Sequence, residues 1–260
     1  MKVSKELVDK RREEVMRYIQ EVNNISVNDL VKKFDVSPVT IRRDLQYWED
    51  IGAIERHYGS AALIEKYVSD GKEYDRYRYM TAIAKRAAAF VQDNDVIFIN
   101  SSATAKMVVD YIKHHKNVTI ITNNAKMINV ESLEDIQVVF TGGEVRYPKN
   151  SMVGDIALKT IRSINANKCF IGCSGLSAKG ISTGLLKETS VNKTMLDQTK
   201  GQKFILCDHT KFGLDYSFKY CDFGDVDYLI TDVEADQNIL NDIQLKSSIE
   251  IIKVAPAVRK

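Results

Sequence analysis

Two groups of residues in this 260-residue chain have the types and spacing to do chemistry. The first is the run Thr40-Ile-Arg-Arg-Asp-Leu45 with Gln46. On a helix, Ile41, Leu45 and Trp48 recur at i, i+4, i+7 and face inward, with Ile51 extending the stripe, so Thr40, Arg42, Arg43 and Gln46 turn outward. Guanidinium forks pair with phosphates or guanine edges, and Gln and Thr reach base edges or phosphates. The second group follows apolar runs: Asn100, Ser101, Ser102 and Thr104; Thr122, Asn123 and Asn124; Thr141, Gly142 and Gly143; and Asp208 with Lys211. Hydroxyls, amides, an Asp and a Lys form an inventory suited to a polyhydroxylated anion, with Arg146, Lys193 and Lys211 as cations. Each segment alone is ordinary turn chemistry. All four at strand ends point to a ligand site.

The elements that must position the first group are legible upstream of it. Residues 5–22 form a helical pattern carrying Leu7, Val8, Val15, Ile19 and Val22. Ser26 suits an N-cap for a second helix with Leu30, Val31 and Phe34 on its inner face. Ser37 caps the third, Pro38 fits its first position and Gly52 its stop. A short hairpin turning at Gly59 follows. This is the layout of an α+β winged helix-turn-helix unit. An isolated charged helix face is usually just solvated, but here caps, proline, preceding helices and hairpin all agree on DNA binding. Residues 1–60 hold eleven basic and eleven acidic residues, so this role must come from charge placement, not from the sum.

The second group sits in an alternating pattern. Strand-like runs at 95–100, 118–122, 137–143, 169–175, 203–208, 227–232 and 249–255 are separated mostly by amphipathic stretches, one of them the apparent helix 104–115. Continuously apolar strands alternating with helices predict a mainly parallel sheet covered on both faces, a Rossmann-like α/β fold. Residues 61–80 are polar and tyrosine-rich. The expected organisation is a DNA-binding domain over 1–60, a linker over 61–80 and an α/β domain over 81–260.

Composition sets the remaining bounds. An apolar fraction of 44% supports full cores, and the charged N-terminus is no signal peptide. No apolar run approaches the ~20 residues needed to span a bilayer. Cys169, Cys173, Cys207 and Cys221 read as reduced core thiols of a cytoplasmic protein. Cys169 and Cys173 with Cys207 and His209 raise the question of a metal, but i and i+4 on a strand lie ~13 Å apart, too far to share one zinc. His114-His115, at a helix end, suits a favourable terminal charge or a solvated pair. Neither metal nor cofactor is expected.

The stretch "VSPVTIRRDLQYWEDIGAIERHYGSA" resembles the signature of the DeoR family of bacterial transcriptional regulators. The resemblance places Ser37, Thr40, Arg42, Arg43 and Arg56 at DNA-contact or motif positions. Gln46, His57 and Tyr58 complete the candidate DNA-binding set. The family wing carries two glycines, and here Ser60 replaces the second. Further segments, "AIAKRAAAFVQDNDVIFI", "TNN", "TGG", "FIGCSGL" and "DHTKFG", fall in the order of the family's effector-sensing domain, which is similar in fold to ribose-5-phosphate isomerase. The resemblance implies a homo-oligomeric repressor (dimer or tetramer) of a sugar-metabolism operon, bound to double-stranded operator DNA and controlled by a phosphorylated sugar. The implied effector residues are those of the second group together with Arg146, Ser174, Glu188 and Lys193. In "INSSATAKM" the family usually reads Asp-Ser-Gly-Thr-Thr-Thr, so Ser101 and Thr104 match while Asn100, Ser102, Ala103 and Ala105 depart. An isomerase-like enzyme with an accessory DNA-binding domain is the alternative, with Glu188 and Lys211 at matching positions. Against it, Gly172-Cys173-Ser174-Gly175 stands where those enzymes carry acidic residues, and their glycine-rich lysine loop is missing. A sensor without turnover is therefore expected.

Overall fold

The computed structural model describes residues 5–22, 24–51, 54–57, 60–63, 72–129, 134–147 and 149–256. The chain divides into two compact units, Met1–Tyr77 and Arg78–Lys260.

In the first unit, helix α1 (Lys5–Val22) contributes Val15, Met16 and Ile19 to the core. Leu7 and Val22, part of the same expected apolar pattern, are exposed near the two ends of the helix. After strand β1 (Asn24–Ser26), helix α2 (Val27–Phe34) opens on the Ser26 hydroxyl, which accepts from the Asp29 amide at 3.1 Å. It stops at Asp35, which adopts a left-handed conformation at φ 48°. Helix α3 (Pro38–Ile51) begins as predicted, with Ser37 Oγ accepting from Thr40 N at 3.2 Å. Strands β2 (Ile54–His57) and β3 (Ser60–Leu63) pair antiparallel, with His57 opposite Ser60. The predicted hairpin is one edge of a larger sheet, because β1 pairs with β3 in the order β1-β3-β2. Three residues are too few for β1 to show alternation. Positive φ among the described non-glycine residues is confined to Asp35, Asn94, Asn117 and Asn150, so Ser60 replaces a glycine at no backbone cost. The predicted turn at Gly59 and the helix stop at Gly52 lie outside the described residues.

Helix α4 (Lys72–Ala88) runs across the division between the units. The second unit is built on a seven-stranded sheet, all of whose pairings are parallel. Its strands are β4 (Val96–Ile99), β5 (Val118–Thr122), β6 (Ile136–Phe140), β9 (Ala166–Gly172), β12 (Thr199–Leu206), β14 (Tyr228–Asp232) and β15 (Glu250–Val254). All seven predicted strands are present, in the order β15-β14-β12-β9-β4-β5-β6. Two smaller features were not visible in the sequence. A ribbon pairs β7 (Glu144–Arg146) with β8 (Ser151–Val153), and a three-stranded sheet joins β10 (Gly175–Ser177), β11 (Gly180–Thr183) and β13 (Phe218–Cys221). Helices α6 (Asp155–Arg162), α7 (Leu186–Asp197) and α8 (Gln237–Lys246) provide crossovers. The predicted helix 104–115 is shorter. It is a five-residue α5 (Ala103–Met107) that tightens into a 3-10 turn over Val108–Tyr111. Met107, Val108, Val109 and Ile112 are all buried, more consecutive apolar positions than one α-helical face can present.

Candidate functional sites

The outward face of α3 is fixed from within. Ile41, Leu45 and Trp48 are buried, and the Trp48 indole N–H donates to the Arg12 carbonyl at 3.0 Å. Its ring lies 4.6 Å from that of Tyr77 within the same unit. Asp44, one of the acids that balance the charge of residues 1–60, is turned inward. It is 1% exposed, and its carboxylate accepts from Arg11 Nε at 2.7 Å and from Arg12 Nε at 3.3 Å. The acid adjacent to the two outward arginines is thus neutralised on the inner side. Arg42 and Arg43 stand on the exposed face, with Thr40 and Gln46 half-buried beside them. The Ser37 and Thr40 hydroxyls hydrogen-bond each other at 2.9 Å, closing the N-terminal cap. Arg56 and His57 lie on β2, but their side chains, and Tyr58 altogether, lie outside the described residues.

In the second unit the strands run parallel, so every loop after a strand emerges at one edge of the sheet. The chain winds from β4 out to β6 and then restarts at β9 on the other flank of β4. The crevice beyond β4 and β9 is the switch point where open α/β sheets hold ligands.

Asn100 bridges that switch point. Its amide donates to the Gly172 carbonyl at 2.8 Å and to Asn192 Oδ1 at 3.1 Å, and its oxygen accepts from the Gly172 and Ser102 amides at 3.0 and 3.2 Å. Both amide hydrogens and both lone pairs are committed, so the side chain positions the loop and has no bonding capacity left for an effector. Ser102 Oγ caps α5 by accepting from Ala105 N at 3.4 Å. It occupies space that Gly172 leaves open, for a Cβ on Gly172 would stand 1.9 Å from that oxygen. Ser102 has φ −70°, so this loop has no need of the family's glycine. Thr104 is buried and Ser101 half-buried.

Along the β5 end, Thr122 Oγ1 accepts from Asn124 N at 3.1 Å, and Asn124 Oδ1 accepts from Lys126 N at 3.1 Å. Asn123 donates to the Met152 carbonyl at 3.1 Å, yet its Oδ1 is buried without a hydrogen-bond partner. Asn150 Oδ1 is likewise buried and unpartnered. Gly142 and Gly143 have φ 68° and 104°, and a Cβ on Gly143 would meet the Val153 carbonyl at 2.4 Å. The ribbon sets Arg146 opposite Ser151, which also bridges to Asn124. Arg146 is half-buried and forms no ion pair among the described residues.

Glu188, 5% exposed in the first turn of α7, joins the ribbon to β11. It accepts from Ser151 Oγ at 3.2 Å, Thr183 Oγ1 at 3.3 Å and Lys149 Nζ at 3.3 Å. Ser174 Oγ reaches Thr183 at 3.5 Å, so it joins the same network. Lys193 does not join it. Five residues turn a helix by about 140° relative to Glu188, and Lys193 is exposed near Asp197 at 3.9 Å. One turn on from Glu188, the buried α7 residue that reaches the β4 loop is Asn192, the partner of Asn100. Its i+4 spacing from Glu188 was the signal available in the sequence. Lys149, Asn150, Ser151 and Thr183 also belong to this edge, and only the ribbon's pairing discloses the first three.

Asp208, buried after β12, caps a 3-10 turn by accepting from Thr210 N at 3.1 Å and from the Thr210 hydroxyl. Lys211 ends that turn, half-buried and without an ion pair among the described residues. His209 is held by Asp232, with Nδ1 3.0 Å from one carboxylate oxygen and its amide donating to the other at 2.8 Å. Among the described residues no group of His, Cys, Asp and Glu could hold a metal, and no helix is long and apolar enough to cross a membrane.

A winged unit presenting arginines, on one chain with a parallel α/β unit whose carboxyl edge gathers amides, hydroxyls and cations, defines a ligand-responsive DNA-binding regulator. Residues 11–67 match the DeoR-like helix-turn-helix domain and residues 76–233 the DeoR C terminal sensor domain. The chain belongs to the DeoR family. It is 31% identical over 226 residues to the HTH-type transcriptional regulator IolR of Bacillus subtilis, covering 85% of this chain and 90% of that protein. It is 25% identical over 250 residues to the lactose phosphotransferase system repressor of Staphylococcus aureus (93% and 98%), and 28% identical over 231 residues to the glycerol-3-phosphate regulon repressor of Escherichia coli (85% and 90%). Ribose 5-phosphate isomerase from Plasmodium falciparum aligns over 51% of this chain and 52% of that one at 15% identity and TM-score 0.37, a likeness too slight to inform the chemistry.

Proposed function

We propose that the chain is a cytoplasmic repressor of a sugar-metabolism operon that binds double-stranded operator DNA as a homo-oligomer and is controlled by a phosphorylated sugar. DNA binding falls to the first unit, Met1–Tyr77, which takes in β3 and so extends beyond the expected boundary at residue 60, and sensing falls to the second, Arg78–Lys260. The observation that carries the DNA half is the inward neutralisation of Asp44, which leaves the exposed face of α3 to Arg42 and Arg43. Oligomerisation follows from area, because one small winged module buries too little surface for tight specific binding.

The ligand reading is supported by the buried, unpartnered Asn123 and Asn150 oxygens, two acceptors of the kind that a polyol's hydroxyls would satisfy. Half-buried Arg146 and Lys211 are the cations for its phosphate. Asn100 and Ser102 act by positioning the loop, Lys193 has no part, and a five-residue α5 contributes little dipole. Both oxygens of Glu188 already accept hydrogen bonds, so we assign it to holding the ribbon and α7 together rather than to proton abstraction.

The test is a thermal-shift screen of the full chain against phosphorylated sugars, followed by operator binding with and without each hit. A hit that stabilises the sensor and changes operator affinity supports the reading. A purified protein that isomerises a sugar phosphate, and loses that activity in Glu188→Ala, overturns it.

A further inference from the structure

The core thiols expected from the sequence are not equivalent. Strands β9 and β12 pair in parallel with Gly172 opposite Leu206. The next residue on each strand is a cysteine, so Cys173 and Cys207 leave the sheet side by side. Paired strands lie about 4.8 Å apart, inside the roughly 4.4–6.8 Å between Cα atoms that a disulfide bridges. The two sulfurs are 3.3 Å apart, with Cys173 donating to Cys207 and Cys207 donating in turn to the Asp208 carbonyl at 3.6 Å.

The environments of the two thiols differ. Cys207 is buried, and that burial, with Cys173 beside it, pushes its thiol well above the ordinary range, so it stays protonated. Cys173 is half-buried and is the sulfur a small oxidant reaches. The other two cysteines lack this arrangement. Cys169 is buried and about 13 Å back along β9, its thiol pushed up to about 11 by burial. Cys221 is buried and donates to the Asp222 carbonyl at 3.1 Å.

We propose that Cys173 and Cys207 are a hydroperoxide-sensitive dithiol, converted to a reversible intrachain disulfide at the carboxyl edge of the sheet. The Cys173 sulfur, giving up its proton, attacks one peroxide oxygen. The O–O bond breaks, the second oxygen leaves with that proton as water or an alcohol, and Cys173 becomes a sulfenic acid. The Cys207 sulfur then attacks the Cys173 sulfur, and the S–O bond breaks. The hydroxyl departs with the Cys207 proton as water. Two electrons pass from the sulfurs to the peroxide. In a reducing cytoplasm such a bond is transient, as expected of a redox-responsive thiol pair. The bond ties the turn carrying Ser174 and the Gly172 clamp on Asn100 to the turn carrying Asp208. Its formation does not depend on which ligand that edge binds.

The experiment treats the reduced full chain with hydrogen peroxide at neutral pH, alkylates the remaining thiols and maps peptides without reduction. The expected result is that two of the four thiols escape alkylation and one linked pair joins Cys173 to Cys207, both reversed by dithiothreitol. Cys173→Ser abolishes the link and Cys169→Ser leaves it intact. Because the linked pair is read on the unsubstituted chain, a variant that misfolds does not decide the outcome. Four alkylated thiols after treatment, sulfinate on Cys173 without a link, or a link through Cys169 or Cys221 would each overturn the proposal.

Discussion

On the proposed function, Arg42 and Arg43 on the exposed face of α3 depend on the residue that follows them. A carboxylate at position 44 in solvent would cancel one of the two charges, but Asp44 is turned onto Arg11 and Arg12. One acid of the neutral charge count of residues 1–60 is thus held on the inner side of α3. Arg43→Ala or Arg42→Ala is expected to weaken operator binding about 5- to 150-fold, the range for loss of a guanidinium contact worth ~1–3 kcal/mol. Fluorescence anisotropy on the operator measures this, with the sensor's melting unchanged. Asp44→Ala acts differently, since it leaves two guanidinium groups without their buried acceptor. Both arginines keep partial access to water, so the expected cost is ~1–3 kcal/mol to the first unit. The chain's single tryptophan is Trp48 on α3, so its fluorescence follows this unfolding alone.

Elements of both units were legible where long apolar runs or caps wrote them into the chain. All seven sheet strands and the three N-terminal helices announced themselves by apolar pattern, Ser caps and Pro38. The ribbon and the β10–β11–β13 sheet did not, because strands of three or four residues cannot display a period and their pairing is set by distant partners. The same limit hid part of the candidate ligand edge. Lys149, Asn150 and Ser151 reach it only through the ribbon, whereas the loops after β4, β5, β6 and β12 could be placed from strand ends alone. Position 100, placed among the effector residues on the sequence, departs from the family's Asp, and its Asn amide donates to Gly172 and Asn192, which a carboxylate cannot do. Asn100→Asp is expected to destabilise the sensor by ~2 kcal/mol, seen as a lower denaturant midpoint at unchanged slope. Gly172→Ala forces a Cβ to within 1.9 Å of Ser102 Oγ and is expected to cost ~1–3 kcal/mol. Adding Ser102→Gly removes both clashing atoms, so the double variant recovers most of the loss, a coupling that a double-mutant cycle reads.

On the proposed function, the chain joins a face for an anionic polymer to an edge for a small anion. If effector and DNA are coupled, the coupling is reciprocal, and operator DNA changes sugar-phosphate affinity by the factor the sugar phosphate changes operator affinity. Arg146→Ala and Lys211→Ala are expected to abolish most of the thermal shift given by a phosphorylated sugar while leaving DNA binding in its absence intact. Loss of one cation–phosphate contact worth ~1.5–3 kcal/mol lowers affinity about 10- to 150-fold. The decisive measurement is selection of duplexes from a random DNA library by the full chain, repeated with Arg43→Ala and with the sugar phosphate that scores in the thermal screen. The predicted result is enrichment of a repeated motif by the unsubstituted chain, lost in Arg43→Ala and altered by the sugar phosphate. Enrichment of no motif, or of the same motif by Arg43→Ala at equal affinity, would contradict the assignment of α3 as the DNA-reading helix.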